Sequence, residues 1–289
     1  MSDFLKISII SPSYNQARFI EGTLRSVGEQ QYPKLEHIIV DGASTDSTTE
    51  ILERLGSTAG WEYLRWKSEP DHGQSEALNK GFRSASGDIV GWLNSDDIFR
   101  PGTLRKVAQV FAEHRDIDFV YGDYDIIDES GGLLLHKKEI EFDWNIMLCG
   151  LNYIAQPNVF FRRRVFDAIG YLDESLHYVM DYEFWLRAAN RRMRFLHVPQ
   201  AFAACRWHLD AKTVSRNPAI VSEINFVRRK YWNKMQFAHL SFQSSYERLC
   251  NVRARASRQW RKLCTRHAVD LLPASVYLKS WKMRKSRPR

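Results

Sequence analysis

Apolar runs alternate with polar clusters along the first hundred residues, and that rhythm carries most of the fold. Residues 6–11 form an apolar run that ends in Pro12-Ser13-Tyr14-Asn15-Gln16. Residues 17–27 then show helical spacing, with Phe19, Ile20, Leu24 and Val27 on one side. A second run, residues 35–40, ends in Asp41-Gly42-Ala43-Ser44-Thr45-Asp46, and Asp46 is placed to cap a helix reaching Leu55. Residues 61–66 give a third strand, 75–85 a third helix and 89–93 a fourth strand. Strand and helix in strict alternation with short loops predict an α/β domain with a mostly parallel sheet covered on both faces. Such sheets take their ligands beyond the carboxyl ends of the strands, which is where each polar cluster falls.

The rhythm changes after residue 100. Residues 118–128 and 132–138 alternate as strands, and residues 156–161 read as another, followed by Arg162, Arg163 and Arg164 and a short helix to Ile169. Around Tyr178-Val179-Met180-Asp181-Tyr182-Glu183, the apolar Phe184, Trp185 and Ala188 predict one buried helix face, with Asp181 at its amino end as a natural N-cap. Residues 201–207 form a strand ending in Arg206-Trp207-His208. Residues 220–232 read as helix, and residues 242–264 continue in that style.

Composition adds a boundary. Of 289 residues, 44% are hydrophobic and 26% charged, which suits a soluble globular chain. The net charge of +8 is unevenly spread. From Arg228 to Arg289, 17 Lys and Arg stand against Glu247 and Asp270, a local +15 that leaves the rest of the chain at −7. This divides the chain into residues 1–216 and a helical, basic extension, 217–289. Basic residues interleaved with Trp260, Leu271, Leu272, Tyr277 and Trp281 suit an anionic membrane surface, the other reading being an extension packed on the body. No nucleic-acid recognition motif accompanies the charge, so no nucleic-acid partner is expected. The four cysteines have no Cys-x-x-Cys spacing, and neither a signal peptide nor a membrane-spanning run is visible. The expected location is cytoplasmic, with peripheral attachment to the inner face of the membrane if the tail binds lipid.

The sharpest chemical signal is Asn94-Ser95-Asp96-Asp97 at the end of the fourth apolar run. Adjacent acids at the mouth of a buried strand repel unless donors or a cation stand between them. Oxygen donors of this kind suit magnesium or manganese, which keep waters and take phosphate oxygens as ligands. No Gly-x-Gly-x-x-Gly follows the first strand and no Gly-x-x-x-x-Gly-Lys occurs, which disfavours a dinucleotide dehydrogenase and a phosphate-loop ATPase.

Ser11-Pro12-Ser13-Tyr14-Asn15, Asp41-Gly42-Ala43-Ser44-Thr45-Asp46, the stretch from Ser68-Glu69-Pro70-Asp71-His72-Gly73-Gln74-Ser75 to Asn79-Lys80-Gly81, and Asn94-Ser95-Asp96-Asp97 occur in the order seen in family 2 glycosyltransferases. The sequence resembles that family over residues 5–215. The resemblance implies the GT-A fold and transfer of one sugar from a nucleotide sugar, a UDP-sugar, to a glycan or lipid-linked acceptor in cell-surface polysaccharide or glycolipid assembly. It implies a donor pocket of Pro12, Ser13, Tyr14, Asn15, Asp41, Asp71, Gln74, Lys80, Asn94, Asp96 and Lys212, with a divalent metal, magnesium or manganese, on Asp97 and His208. Asp181 matches the family's general base, with Met180 where the family has Glu and Glu183 as its rival. One base opposite the leaving group implies inversion. A lone Lys such as Lys80 is more often a solvated charge, and Asp71 suits a helix cap. Met180 and Asn94 depart from the family pattern and keep open a catalytically silent, membrane-associated sugar-binding scaffold of the same fold. A nucleotidyltransferase is a further rival, disfavoured by the lack of a basic Gly-rich loop after the first strand.

Overall fold

The computed structural model describes residues 4–149, 152–212, 217–232 and 256–259. Its first half follows the predicted alternation: β1 (Ile7–Ser13), α1 (Ile20–Gly28), β2 (Leu35–Asp41), α2 (Thr48–Gly56), β3 (Leu64–Ser68), α3 (Gln74–Ser84) and β4 (Ile89–Trp92). There follow β5 (Ile98–Phe99), α4 (Thr103–Glu113), β6 (Phe119–Ile127), β7 (Leu133–Lys137), α5 (Trp144–Leu148), β8 (Val159–Arg162), α6 (Val165–Ile169), α7 (Met180–Asn190), β9 (Phe195–Arg206) and α8 (Pro218–Trp232). The sheet runs β3-β2-β1-β4-β8-β6-β9-β5, with β7 paired to β6. The strands β3, β2, β1 and β4 are parallel, β8 lies antiparallel between β4 and β6, and β6 and β9 are parallel.

Both faces of the sheet are covered, so β1 and β4 are buried at every position and read as continuous apolar runs rather than alternating ones. The pleat then sends neighbours to opposite cores. Ile10, Phe119 and Phe161 join Leu78, Phe82, Phe184 and Trp185 in one, while Ile9, Val120 and Phe160 join Leu104, Phe111 and Phe202 in the other. Close approach of α3 to the sheet depends on Gly81, where an added Cβ would lie 2.5 Å from Ile10 Cγ2.

Four expectations are corrected. The predicted strand over 156–161 starts with a 3-10 turn over Gln156–Asn158, and β8 begins only at Val159, because Pro157 has no N–H for a ladder. The strand expected from Trp61 begins at Leu64; Trp61 and Tyr63 stack on each other in the preceding turn. Ser47, not Asp46, holds the N-cap position of α2, and Asp46 instead accepts the Thr48 N–H at 3.0 Å and the Ala17 N–H at 3.0 Å, tying two loops together. Val179 rather than Asp181 stands at the N-cap of α7, leaving Asp181 inside the first turn. The helical reading of 242–264 lies outside the described residues apart from a turn at 256–259, as does the rest of the basic extension beyond α8. Among the described residues no helix is long and apolar enough to cross a membrane.

Candidate active site

The loops after β1, β2, β3 and β4 meet at one edge of the sheet. Asn15, at φ 53°, donates its N–H to Ser44 Oγ at 2.8 Å, and its Oδ1 accepts the Thr45 N–H at 2.8 Å. The first two loops are thereby locked together, while Tyr14 projects into solvent. Asp41 is fully buried, and its carboxylate accepts from the Ser44 N–H at 2.9 Å, Ser44 Oγ at 2.5 Å and Ser68 Oγ at 2.7 Å. Three of about four acceptor positions are thus filled by neutral donors. Asp71 closes over the same spot: a Cβ on Gly42 would lie 2.6 Å from Asp71 Oδ2, so glycine is needed there for the approach. Pro12 and Ser13 are buried alongside, and Ser13 Oγ is enclosed without a hydrogen-bond partner.

Beyond β4, Asn94 is the hub. Its Oδ1 accepts from Gln74 Nε2 at 2.8 Å and Trp92 Nε1 at 2.9 Å, and its Nδ2 lies 3.4 Å from Asp97 Oδ2. Lys212 Nζ donates to Gln74 Oε1 at 2.8 Å, carrying the network across to the loop after β9. Asp97 is 6% exposed and accepts the Arg206 N–H at 2.9 Å. Burial, and then the charge of Asp96, hold its carboxyl well above the usual range. His208 Nε2 lies 2.9 Å from Asp96 Oδ2, the imidazole packs on the Phe19 ring at 4.8 Å between centroids, and its Nδ1 is buried with no partner.

This donor set fits a hard dication. Two adjacent carboxylates, offset in part by the Arg206 charge, stand beside an imidazole with an orphaned nitrogen. Among the described residues no group of three or more acidic, His or Cys side chains is gathered closely enough to hold a metal by itself. Magnesium and manganese sites look like this when phosphate and water complete the shell. Lys80 is not brought to these groups: it pairs with Glu76 at 2.8 Å and Glu69 at 3.2 Å.

Asp181 stands in the first turn of α7. Its Oδ2 accepts from Asn152 Nδ2 at 2.9 Å and its Oδ1 from the Tyr182 N–H at 2.7 Å. Burial pushes its carboxyl up to about 6 against these donors. Four residues after Asn152, Gln156 donates its amide to the Trp92 carbonyl at the end of β4, leaving its Oε1 buried and unpartnered. Neither Asn152 nor Gln156 emerges from the sequence, because a lone amide carries no pattern; the only cue was their place just before a strand. Glu183 is the opposite of Asp181. It is fully buried and accepts from Arg187 at 2.9 Å, Lys230 at 2.8 Å and Tyr231 at 2.8 Å.

A mostly parallel sheet flanked by helices, with an antiparallel strand set into it, is the architecture of the GT-A fold. S. aureus TarS in complex with UDP-GlcNAc matches it with a TM-score of 0.65 at 20% identity, over 86% of this chain and 71% of that one. A mannosyltransferase from Pyrobaculum calidifontis, in complex with GDP-Man and Mn2+, matches at 0.58 and 19%, over 97% of this chain and 80% of the other. The chain belongs to glycosyl transferase family 2, whose model matches residues 8–170, and it is a glycosyltransferase. Among its relatives are an uncharacterized glycosyltransferase of Mycobacterium tuberculosis, 31% identical over 63% of this chain and 68% of the relative. A PGL/p-HBAD biosynthesis glycosyltransferase of Mycobacterium bovis is 31% identical over 66% of this chain and 73% of its own length.

Proposed function

We propose that this enzyme moves one sugar from a nucleotide-sugar donor, a UDP-sugar, onto a hydroxyl of a glycan or lipid-linked acceptor, with inversion at the anomeric carbon and dependence on magnesium or manganese. Nucleotide-sugar transfer in glycan assembly agrees with the family and with the relative named for PGL/p-HBAD biosynthesis. The observation that carries the reading is the short segment 152–156, which ties Asp181 at one end to the terminus of β4, and so to Asp96 and Asp97, at the other. Asp97, with Asp96 and His208, would hold the metal, which supplies positive charge to the departing diphosphate. The buried Asp41 and the adjoining Asp71 line the nucleotide end, with Pro12 and Ser13 beneath them. Gln74 and Lys212 close the diphosphate end.

Asp181 takes the proton of the acceptor hydroxyl. A carboxyl held near about 6 is ionised at neutral pH and still basic enough for the task. Glu183 is spent on Arg187, Lys230 and Tyr231 and has no face toward an acceptor. With a single free carboxylate opposite the leaving group, one in-line displacement follows, hence inversion. The basic tail brings the enzyme to an anionic membrane surface where lipid-linked acceptors lie. Salt-sensitive binding to anionic vesicles supports this attachment, and no binding at low salt removes it.

The test is cleavage of UDP-glucose, UDP-N-acetylglucosamine and GDP-mannose with and without manganese, for the wild type and for Asp97→Ala and Asp181→Ala. Metal-dependent release of nucleoside diphosphate that is lost in both variants is expected. Full turnover in either variant overturns the corresponding role, and a product with the donor's anomeric configuration overturns inversion.

A further inference from the structure

The helix that carries Asp181 starts without a cap of its own. Val179 occupies the N-cap position, and no side chain there accepts from the first turn. The three amides leading into α7 are satisfied from outside instead. The N–H groups of His177, Tyr178 and Val179 all donate to the carboxylate of Glu223 on α8, at 3.0, 2.8 and 3.2 Å. Asn217, just ahead of α8, donates to the Tyr178 hydroxyl. Near the other end of α8, Lys230 and Tyr231 grip Glu183, while Val227, Tyr231 and Trp232 are buried against the body. Two parts of α8 therefore hold α7 on either side of Asp181. A carboxylate at a helix amino end meets both its unsatisfied N–H groups and the positive end of its dipole.

We propose that Glu223 is a positioning residue for the general base: α8 caps the base's helix from outside and so fixes where Asp181 stands. The inference rests on the role of Asp181 given above. A base works only within hydrogen-bond reach of the proton it takes, and a displacement of about 1 Å can cost a hundredfold in rate. Among the described residues, Asp41, Asp96 and Asp97 make no hydrogen bond to α8, while Lys212 donates to the His177 carbonyl at 3.1 Å beside the Glu223 contact, so a smaller effect is expected on donor binding than on the base.

The experiment uses full-length Glu223→Gln and Glu223→Ala, with whichever of the three nucleotide sugars the wild type cleaves, in manganese and well below each variant's Tm. The expected result is a fall in kcat of about tenfold for Gln and about a hundredfold for Ala, with the donor KM changing by less than kcat does. Hydrogen exchange at the amides of residues 177–183 is expected to quicken in the same order. A purely structural Glu223 lowers Tm and leaves kcat of the folded protein unchanged, and that result overturns the inference. If Glu223→Ala does not fold, Glu223→Gln, which keeps one acceptor oxygen, carries the same two outcomes. Loss of turnover in Asp181→Ala with full kcat in the Glu223 variants sinks this inference alone. Full turnover in Asp181→Ala sinks the base assignment and this inference with it.

Discussion

The half built on β1 to β4 and the half built on β8, β6, β9, α7 and α8 each contain one saturated acid and one that is left short. In the first, Asp41 is buried among neutral donors from its own and neighbouring loops, while Asp97 has the Arg206 N–H, a long contact to Asn94 and the like charge of Asp96 beside it. In the second, Glu183 is neutralised by Arg187, Lys230 and Tyr231, while Asp181 has one amide side chain and one backbone N–H. The saturated acids build the scaffold, and the short-changed ones are poised to work. The halves differ in where the partners come from. In the first they come from the loops that follow the strands; in the second they come from α7 itself, from Asn152 and, for Lys230 and Tyr231, from α8, well beyond the stretch that matches the family model.

The largest expected effect separates working from scaffolding acids. Asp181→Asn should lower turnover by about 10²- to 10⁴-fold while making the fold slightly more stable. The folded state holds the Asp181 proton more tightly than the unfolded chain does, so its contribution favours folding below about pH 4 and is lost as pH rises through about 6. At neutral pH the charged form is therefore a cost, and after allowance for partial exposure its removal should gain about 1 kcal/mol. Thermal melts beside donor-cleavage rates check both signs; a destabilised Asp181→Asn would place Asp181 with the scaffold.

Glu183→Ala should do the reverse and cost about 1–3 kcal/mol, because it removes a fully buried acceptor from Arg187, Lys230 and the buried Tyr231 hydroxyl. Urea unfolding measures this, and a loss below about 1 kcal/mol would mean that α8 does not hold α7 through that carboxylate. On the donor side, Gly42→Ala drives a Cβ into Asp71 and should cost about 1–3 kcal/mol. It should also weaken nucleoside-diphosphate binding, read by calorimetry, and unchanged binding would remove Asp71 from the nucleotide pocket.

The smallest effect concerns pH. A protonated carboxyl cannot accept the acceptor's proton, so kcat should rise with pH through an acid limb near about 6. Asn152→Ala removes a donor that favours the ionised form and should move that limb upward. A limb that stays in place would show that Asn152 does not touch the working base in solution.

Much of the donor half was legible in the chain because a strand–loop–helix unit repeats. Each apolar run ends in its own polar cluster, and right-handed crossovers bring those ends to one edge. Asp41, Asn94, Asp96 and Asp97 could be named on that ground alone. Lys80 shows where such reading fails. Its neighbours Glu69 and Glu76 lie 11 and 4 positions away, and only the folded loop shows that they take its charge. Phe19 counted as one apolar position in a helical stripe, yet its ring is the surface against which His208 packs.

What the sequence by itself determined is the α/β class and the sheet edge at which its polar clusters gather, which follow from periodicity and local order, and the family, which follows from the order of its motifs. Only the tertiary structure decided which acids are neutralised and which are left short. Hydrogen bonds and burial depend on partners brought together from 29 residues away, for Asn152 and Asp181, to 48 away, for Glu183 and Tyr231. No local pattern encodes that saturation, because it arises only when separate elements pack and exclude water.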